Sequence, residues 1–232
     1  MSARVPRSPG RTHLVDALIW DYDGTLVDTY AADQAAVAEL IRQDPAAAPG
    51  AAVFWSLEGL PLIERVERAW PDRVAEVLAQ FDRELPPRLF GGIAEVLTEV
   101  LRRGHRMAVV SSRRLAPLRR GLRDCGLLPM FATVVGLESV RVPKPDPEGL
   151  LLALAAIDAA AARAVYIGDQ AIDAQAARAA GMLSWTATWS GRLHPGFEPA
   201  VALTQPGEVL DRLDAIAAQR GDPGLPPLAA AG

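Results

Sequence analysis

The chain has 232 residues, is 50% hydrophobic and 22% charged, and carries a formal charge of −4 with a pI near 5.5. That composition describes a globular protein with one core plus an insertion or two small domains, excludes a disordered chain, and argues against nucleic acid as a partner. No apolar run approaches the roughly 20 residues that span a bilayer, so no membrane partner is expected. The opening MSARVPRSPGRT lacks the apolar centre of a secretion signal, and Cys125 is the single cysteine, which together point to the cytoplasm.

Residues 1–13 read as a disordered arm. The first apolar run, Ala17-Leu18-Ile19-Trp20, then stops at Asp21-Tyr22-Asp23-Gly24-Thr25-Leu26. A helical pattern follows over Tyr30 to Gln43, breaks at Asp44-Pro45 and the stretch to Gly50, and resumes over Val53 to Phe81 without strand alternation. Residues 30–89 are therefore expected as a small all-helical insertion. From about residue 90 helices and strands alternate: helix Ile93 to Arg103, strand Met107 to Val110, helix Leu115 to Leu127, strand Ala132 to Gly136, helix Glu148 to Ile157, strand Val165 to Ile167, helix Ile172 to Ala180, and a strand near Leu183 to Thr186. A last helix spans Gly207 to Gln219, and 220–232 read as a loose tail. Alternation of this kind predicts an α/β fold with a Rossmann-like parallel sheet, assembled from 14–29 and 90–219.

Ligands in such folds gather at the carboxyl ends of the strands. Two acidic groups are expected there: Asp21 and Asp23 after the first strand, and Asp169 with Asp173 after Val165 to Ile167. Each like-charged pair at 4 Å costs on the order of 4 kcal/mol at an effective dielectric of 20, so a cation is required. Carboxylates without histidine or cysteine partners favour Mg²⁺, and His13, His105 and His194 show no zinc spacing.

The chain's 24 lysine and arginine residues include one lysine, Lys144, held by Pro145 in an extended segment. Its compact ammonium sits where a planar guanidinium would not serve. The strand-end turns offer backbone amides at Tyr22 and Asp23, Gly24 allows close approach, and Ser111 or the adjacent Ser112 offers a hydroxyl, a set suited to phosphate. A rigid aspartate can attack phosphorus while a second carboxylate two residues on moves the proton.

DYDGTLVDT, the strand-terminal Ser111 in AVVSS, Lys144 in VPKPDPEGL and GDQAIDAQAARAAGM resemble the four ordered motifs of the haloacid dehalogenase superfamily, spanning Asp21 to Met182. The resemblance implies that the helical insertion is a cap, that Asp21 is nucleophile and metal ligand, and that Asp23 is the acid/base whose backbone carbonyl also meets Mg²⁺. It further implies phosphate binding by Ser111 and Lys144, metal binding by Asp169 and an auxiliary role for Asp173. Gly59, Leu60 and Arg65 fall where substrate selection is expected, with Arg65 open to reading as a plain surface charge. Trp189 and Arg192 resemble a feature of the phosphoglycolate-phosphatase branch, although a lone tryptophan also serves for packing; Arg113 and Arg114 are candidates to meet a substrate carboxylate.

The expected activity is a Mg²⁺-dependent phosphatase acting on a small phosphorylated metabolite, phosphoglycolate phosphatase-like, from a monomer or homodimer. The alternatives are a sugar-phosphate mutase similar to β-phosphoglucomutase and a catalytically silent binding protein.

Overall fold

A computed structural model describes residues 15–57, 60–82, 88–193 and 196–218. The expected arm at 1–13 and tail at 220–232 lie outside the described residues, as does Gly59.

The strands are β1 (Ala17–Trp20), β2 (Val27–Asp28), β3 (Arg88–Leu89), β4 (Arg106–Val110), β5 (Thr133–Val135), β6 (Ala164–Gly168), β7 (Leu183–Ala187) and β8 (Ala202–Leu203). Six of them form one sheet in the order β5-β4-β1-β6-β7-β8, every pairing parallel. Buried parallel strands must be apolar on both faces, and β1 meets that demand with all four residues at 0% exposure. Leu18 and Trp20 join a core with Val109, Ile167 and Leu97 on one face, while Ala17 and Ile19 join Ala108, Tyr166 and Leu154 on the other.

Helices α5 (Ile93–Arg102), α6 (Leu115–Asp124), α7 (Glu148–Ala156), α8 (Ala171–Ala179) and α9 (Glu208–Ala218) alternate with these strands. Buried residues of α5, α6 and α9 belong to the first core and those of α7 and α8 to the second. Strand order runs outward in both directions from β1, so a crevice opens at the carboxyl ends of β1, β4 and β6.

Between β2 and β3 the chain is helical, with α1 (Tyr30–Gln43), α2 (Ala48–Ser56), α3 (Leu62–Ala69) and α4 (Val74–Asp82). The helical pattern expected over Val53 to Phe81 is divided among three helices: α2 ends at Ser56, Pro61 precedes the first residue of α3, and Pro71 follows the Trp70 that closes α3. This segment has its own core of Ala36, Val37, Leu40, Phe54, Val66, Trp70 and Val77. The Trp70 indole donates to the Ala47 carbonyl at 2.9 Å, tying that core to the bend after α1. At the base of the segment β2 and β3 pair antiparallel. Two-residue strands are too short to show alternation, which is why β2, β3 and β8 escaped the sequence reading.

Candidate active site at the carboxyl ends of three strands

Asp21, Ser111 and Asp169 each follow the last residue of a strand: β1, β4 and β6 respectively. Parallel register sets Trp20 opposite both Val109 and Ile167, so the three residues emerge side by side. The Asp21 amide continues the ladder to the Ile167 carbonyl at 2.8 Å, and the Ser111 amide donates to Val135 at 3.1 Å. Their backbones are thus fixed by the sheet.

Asp21, Asp169 and Asp173 are buried and bring ligand oxygens within 4.8 Å of one another. Asp173 is placed by α8, where it accepts from the Gln170 amide at 2.9 Å in the helix's first turn. A Cβ on Gly168 would lie 2.4 Å from its carboxyl carbon, so only glycine lets β6 pass that close. Lys144 Nζ lies 2.6 Å from Asp173 and 3.3 Å from Asp21. The Tyr166 hydroxyl joins this group, accepting from Lys144 at 3.1 Å and lying 3.0 Å from the Val110 carbonyl and 3.2 Å from Asp173.

One ammonium does not balance three carboxylates. Burial, opposed by Lys144 and reinforced by Asp173 and Asp23, pushes Asp21 up to about 7. Burial, then Asp173 and Asp21, holds Asp169 well above the usual carboxylate range. Burial works against the Lys144 ammonium, yet Asp173 and Asp21 outweigh it and hold its pKa well above the usual lysine value. Asp21 Oδ1 is buried with no hydrogen-bond partner. Asp169 crowds the adjoining turn so closely that a Cβ on Gly24, at φ 72°, would sit 2.2 Å from its carboxylate. An orphaned carboxylate oxygen beside a second carboxylate, with oxygen donors throughout, fits a hard divalent cation. Asp21 is the best placed, with its Oδ1 unpartnered; Asp173 is held by Lys144 and the Gln170 amide, and Asp169 accepts from the Gln170 side chain at 3.0 Å.

A cavity of about 230 Å³ opens over the cluster. Its floor includes Asp21, Asp23, Ser111, Ser112, Lys144 and Asp169, and its opposite wall includes Leu60 and Arg65 of the helical segment. Ser111 Oγ accepts from the Arg113 amide at 3.2 Å, whereas Ser112 Oγ is buried without a partner. Tyr22 is buried below the turn, where burial and then Asp23 push its phenol up; its backbone lies beside the acids. The Asp23 side chain stands outside the Asp21–Asp169–Asp173 group and binds Arg113, which donates from Nε at 3.1 Å to both oxygens and from Nη2 at 2.7 Å to Oδ1.

On the far wall, Arg65 lies 3.7 Å from Asp33 and stacks on Phe54 at 3.8 Å, a mostly buried arrangement rather than a surface charge. Burial, followed by Asp23, pushes Asp33 up to about 6 against Arg113, Arg65 and Arg192. The Trp189 indole donates to the Thr25 carbonyl at 3.0 Å and so pins the loop after β7 to the Asp23-Gly24-Thr25 turn. Arg192 in the same loop stacks on Tyr30 at 3.3 Å. Arg114 does not line the cavity.

Sequence reading passed over Tyr166, Asp33 and the Arg113–Asp23 pair. Tyr166 offered a signal: a phenol in an otherwise apolar buried strand must find a polar partner. Asp33 looked like an ordinary first-turn acid of α1, and nothing local announces a pair 90 residues apart.

The haloacid dehalogenase-like hydrolase family matches residues 18–187 of this chain. The chain is 33% identical over 220 residues to a phosphoglycolate phosphatase of Pectobacterium atrosepticum, covering 85% of this chain and 89% of that protein. It is 26% identical over 212 residues to the pyrophosphatase PpaX of Bacillus velezensis, covering 84% and 95%. A crystal structure of a HAD-superfamily hydrolase, subfamily IA, from Geobacter sulfurreducens superposes with a TM-score of 0.67 at 20% identity over 87% of this chain and 97% of that one, a likeness that speaks to the fold alone. No helix among the described residues is long and apolar enough to cross a membrane.

Proposed function

The chain belongs to the haloacid dehalogenase-like hydrolase family, and from that premise we propose that it is a Mg²⁺-dependent phosphatase hydrolysing a small phosphorylated metabolite through an aspartyl-phosphate intermediate. The observation that carries the proposal is the buried, unpartnered Oδ1 of Asp21, held by the sheet beside Asp169 and 3.3 Å from Lys144 across its other oxygen.

Asp21, Asp169 and the Asp23 backbone carbonyl would hold the metal ion, which when bound offsets the clustered acids and polarises a phosphate oxygen. Ser111, Lys144 and the backbone amides of Tyr22 and Asp23 bind the phosphate, with Ser112 the neighbouring hydroxyl. An Asp21 oxygen forms a bond to phosphorus as the ester bond breaks, and the departing oxygen takes a proton from Asp23. Water then attacks the acyl phosphate, Asp23 receives its proton, and Asp21 leaves as the free carboxylate. Asp173 and Tyr166 hold Lys144 in place throughout. The helical segment 30–89 acts as a cap that excludes water, with Leu60 and Arg65 on the cavity wall facing the leaving group.

A cavity of about 230 Å³ suits a small metabolite. The test is phosphate release from p-nitrophenyl phosphate, expected to require a divalent cation, to be best supported by Mg²⁺, and to vanish in Asp21→Asn. Absence of release by the wild type across a divalent metal series would overturn the proposal.

A further inference from the structure

We infer that Arg113 is a specificity-determining residue that exchanges Asp23 for an anionic group on the substrate's leaving group. The inference rests on the phosphatase reading above. Three donor contacts from Arg113 occupy both carboxylate oxygens of Asp23, with Oδ1 engaged by both Nε and Nη2. An oxygen so engaged is poorly placed to meet a leaving alcohol, because a strong guanidinium fork fixes its direction. Arg113 and Asp23 both line the cavity, their side chains 24% and 35% exposed, so an incoming group can reach the pair.

Geometry decides what reaches it. On the phosphatase reading Asp23 gives its proton to the leaving oxygen, so whatever that oxygen carries arrives beside Arg113, 2.7 Å from Asp23. A carboxylate or phosphate one or two bonds from that oxygen matches the fork that now holds Asp23. The bidentate contact then passes from protein to substrate, and Asp23 is freed beside the leaving oxygen. A leaving group without charge offers Arg113 no replacement, and Asp23 stays clamped. Of the three arginines lining the cavity, Arg65 is engaged with Asp33 and Phe54 and Arg192 stacks on Tyr30, whereas Arg113 alone is forked onto Asp23.

The test compares kcat/KM for phosphoglycolate, pyrophosphate and the uncharged analogue 2-hydroxyethyl phosphate, in wild type, Arg113→Met and Arg113→Lys. The wild type is expected to favour at least one anionic substrate over the uncharged one by about tenfold to a hundredfold, the range of a charge-assisted hydrogen-bonded contact. In Arg113→Met that ratio is expected to fall to within about threefold, with Arg113→Lys between, since a point charge lacks the fork. A purely structural role for Arg113 would scale all substrates together and leave the ratio intact. Preference for phosphoglycolate alone assigns the anion as a carboxylate, and for pyrophosphate alone as a phosphate. A wild-type ratio near one, or a ratio retained in Arg113→Met, overturns the inference, and the wild-type measurement stands even if the variants do not fold. Hydrolysis of 2-hydroxyethyl phosphate keeps the phosphatase reading intact in either case.

Discussion

Asp21→Asn is expected to abolish turnover and yet to stabilise the metal-free protein at alkaline pH. Asp21 is 5% exposed, and burial, with Lys144 opposing and Asp173 and Asp23 adding, lifts its pKa from 3.8 to about 7. Such a rise corresponds to an upper figure of about 4 kcal/mol, at about 1.4 kcal/mol for each tenfold change in proton affinity. The folded-state pKa lies above the unfolded one, so the native state holds the proton more tightly. Stability from this group is therefore fully present below about pH 4 and is lost as pH rises through about 7. Asparagine carries no charge at any pH and so escapes this loss. It also forgoes the 3.3 Å contact with Lys144, whose ammonium keeps its 2.6 Å bond to Asp173. The rise to about 7 already counts that contact against burial, so the variant's gain at pH 8 is bounded by the same figure of about 4 kcal/mol. Urea denaturation in EDTA at pH 5 and pH 8 reads the part of this loss that falls between the two conditions, about 3 kcal/mol, as the change in the wild-type-to-variant difference. The same difference at both pH values, or a variant that loses ground at pH 8, would refute the electrostatic reasoning.

Lys144→Arg keeps the charge but presents a wide planar fork in a space closed by Tyr166 and Asp173, and steady-state kinetics should show kcat/KM down by about a hundredfold or more. Gly24→Ala forces a Cβ to 2.2 Å from the Asp169 carboxylate at a left-handed φ, so the rise in melting temperature on adding Mg²⁺ should disappear in thermal denaturation. In the wild type that Mg²⁺-induced rise should be larger at pH 8 than at pH 6. Below about 7 the ion must displace the proton on Asp21, and Asp169 is shifted in the same direction. A rise equal at both pH values would contradict the shared carboxylate site.

Much of the architecture was legible because buried parallel strands announce themselves. The runs Ala17 to Trp20 and Ala164 to Ile167 are buried on both faces, the first stopping at Asp21 and the second at Gly168-Asp169, and the crossing order of the sheet brings the two aspartates to one rim. Lys144 stood out by composition alone. What stayed hidden depends on side chains meeting across long stretches of chain. The fork of Arg113 on Asp23 and the approach of Arg65 to Asp33 are set by how loops and helices pack, and no spacing encodes them. Tyr166 lies between these cases, since its burial was readable but its three partners, at residues 110, 144 and 173, were not.

The central claim is that Asp21 becomes phosphorylated during turnover. Acid quenching during steady-state turnover with Mg²⁺, followed by borohydride reduction and peptide mass mapping, should convert residue 21 from aspartate to homoserine, as reduction of an acyl phosphate requires. Recovery of unmodified Asp21 under conditions of active turnover, or homoserine at another aspartate, would contradict the account.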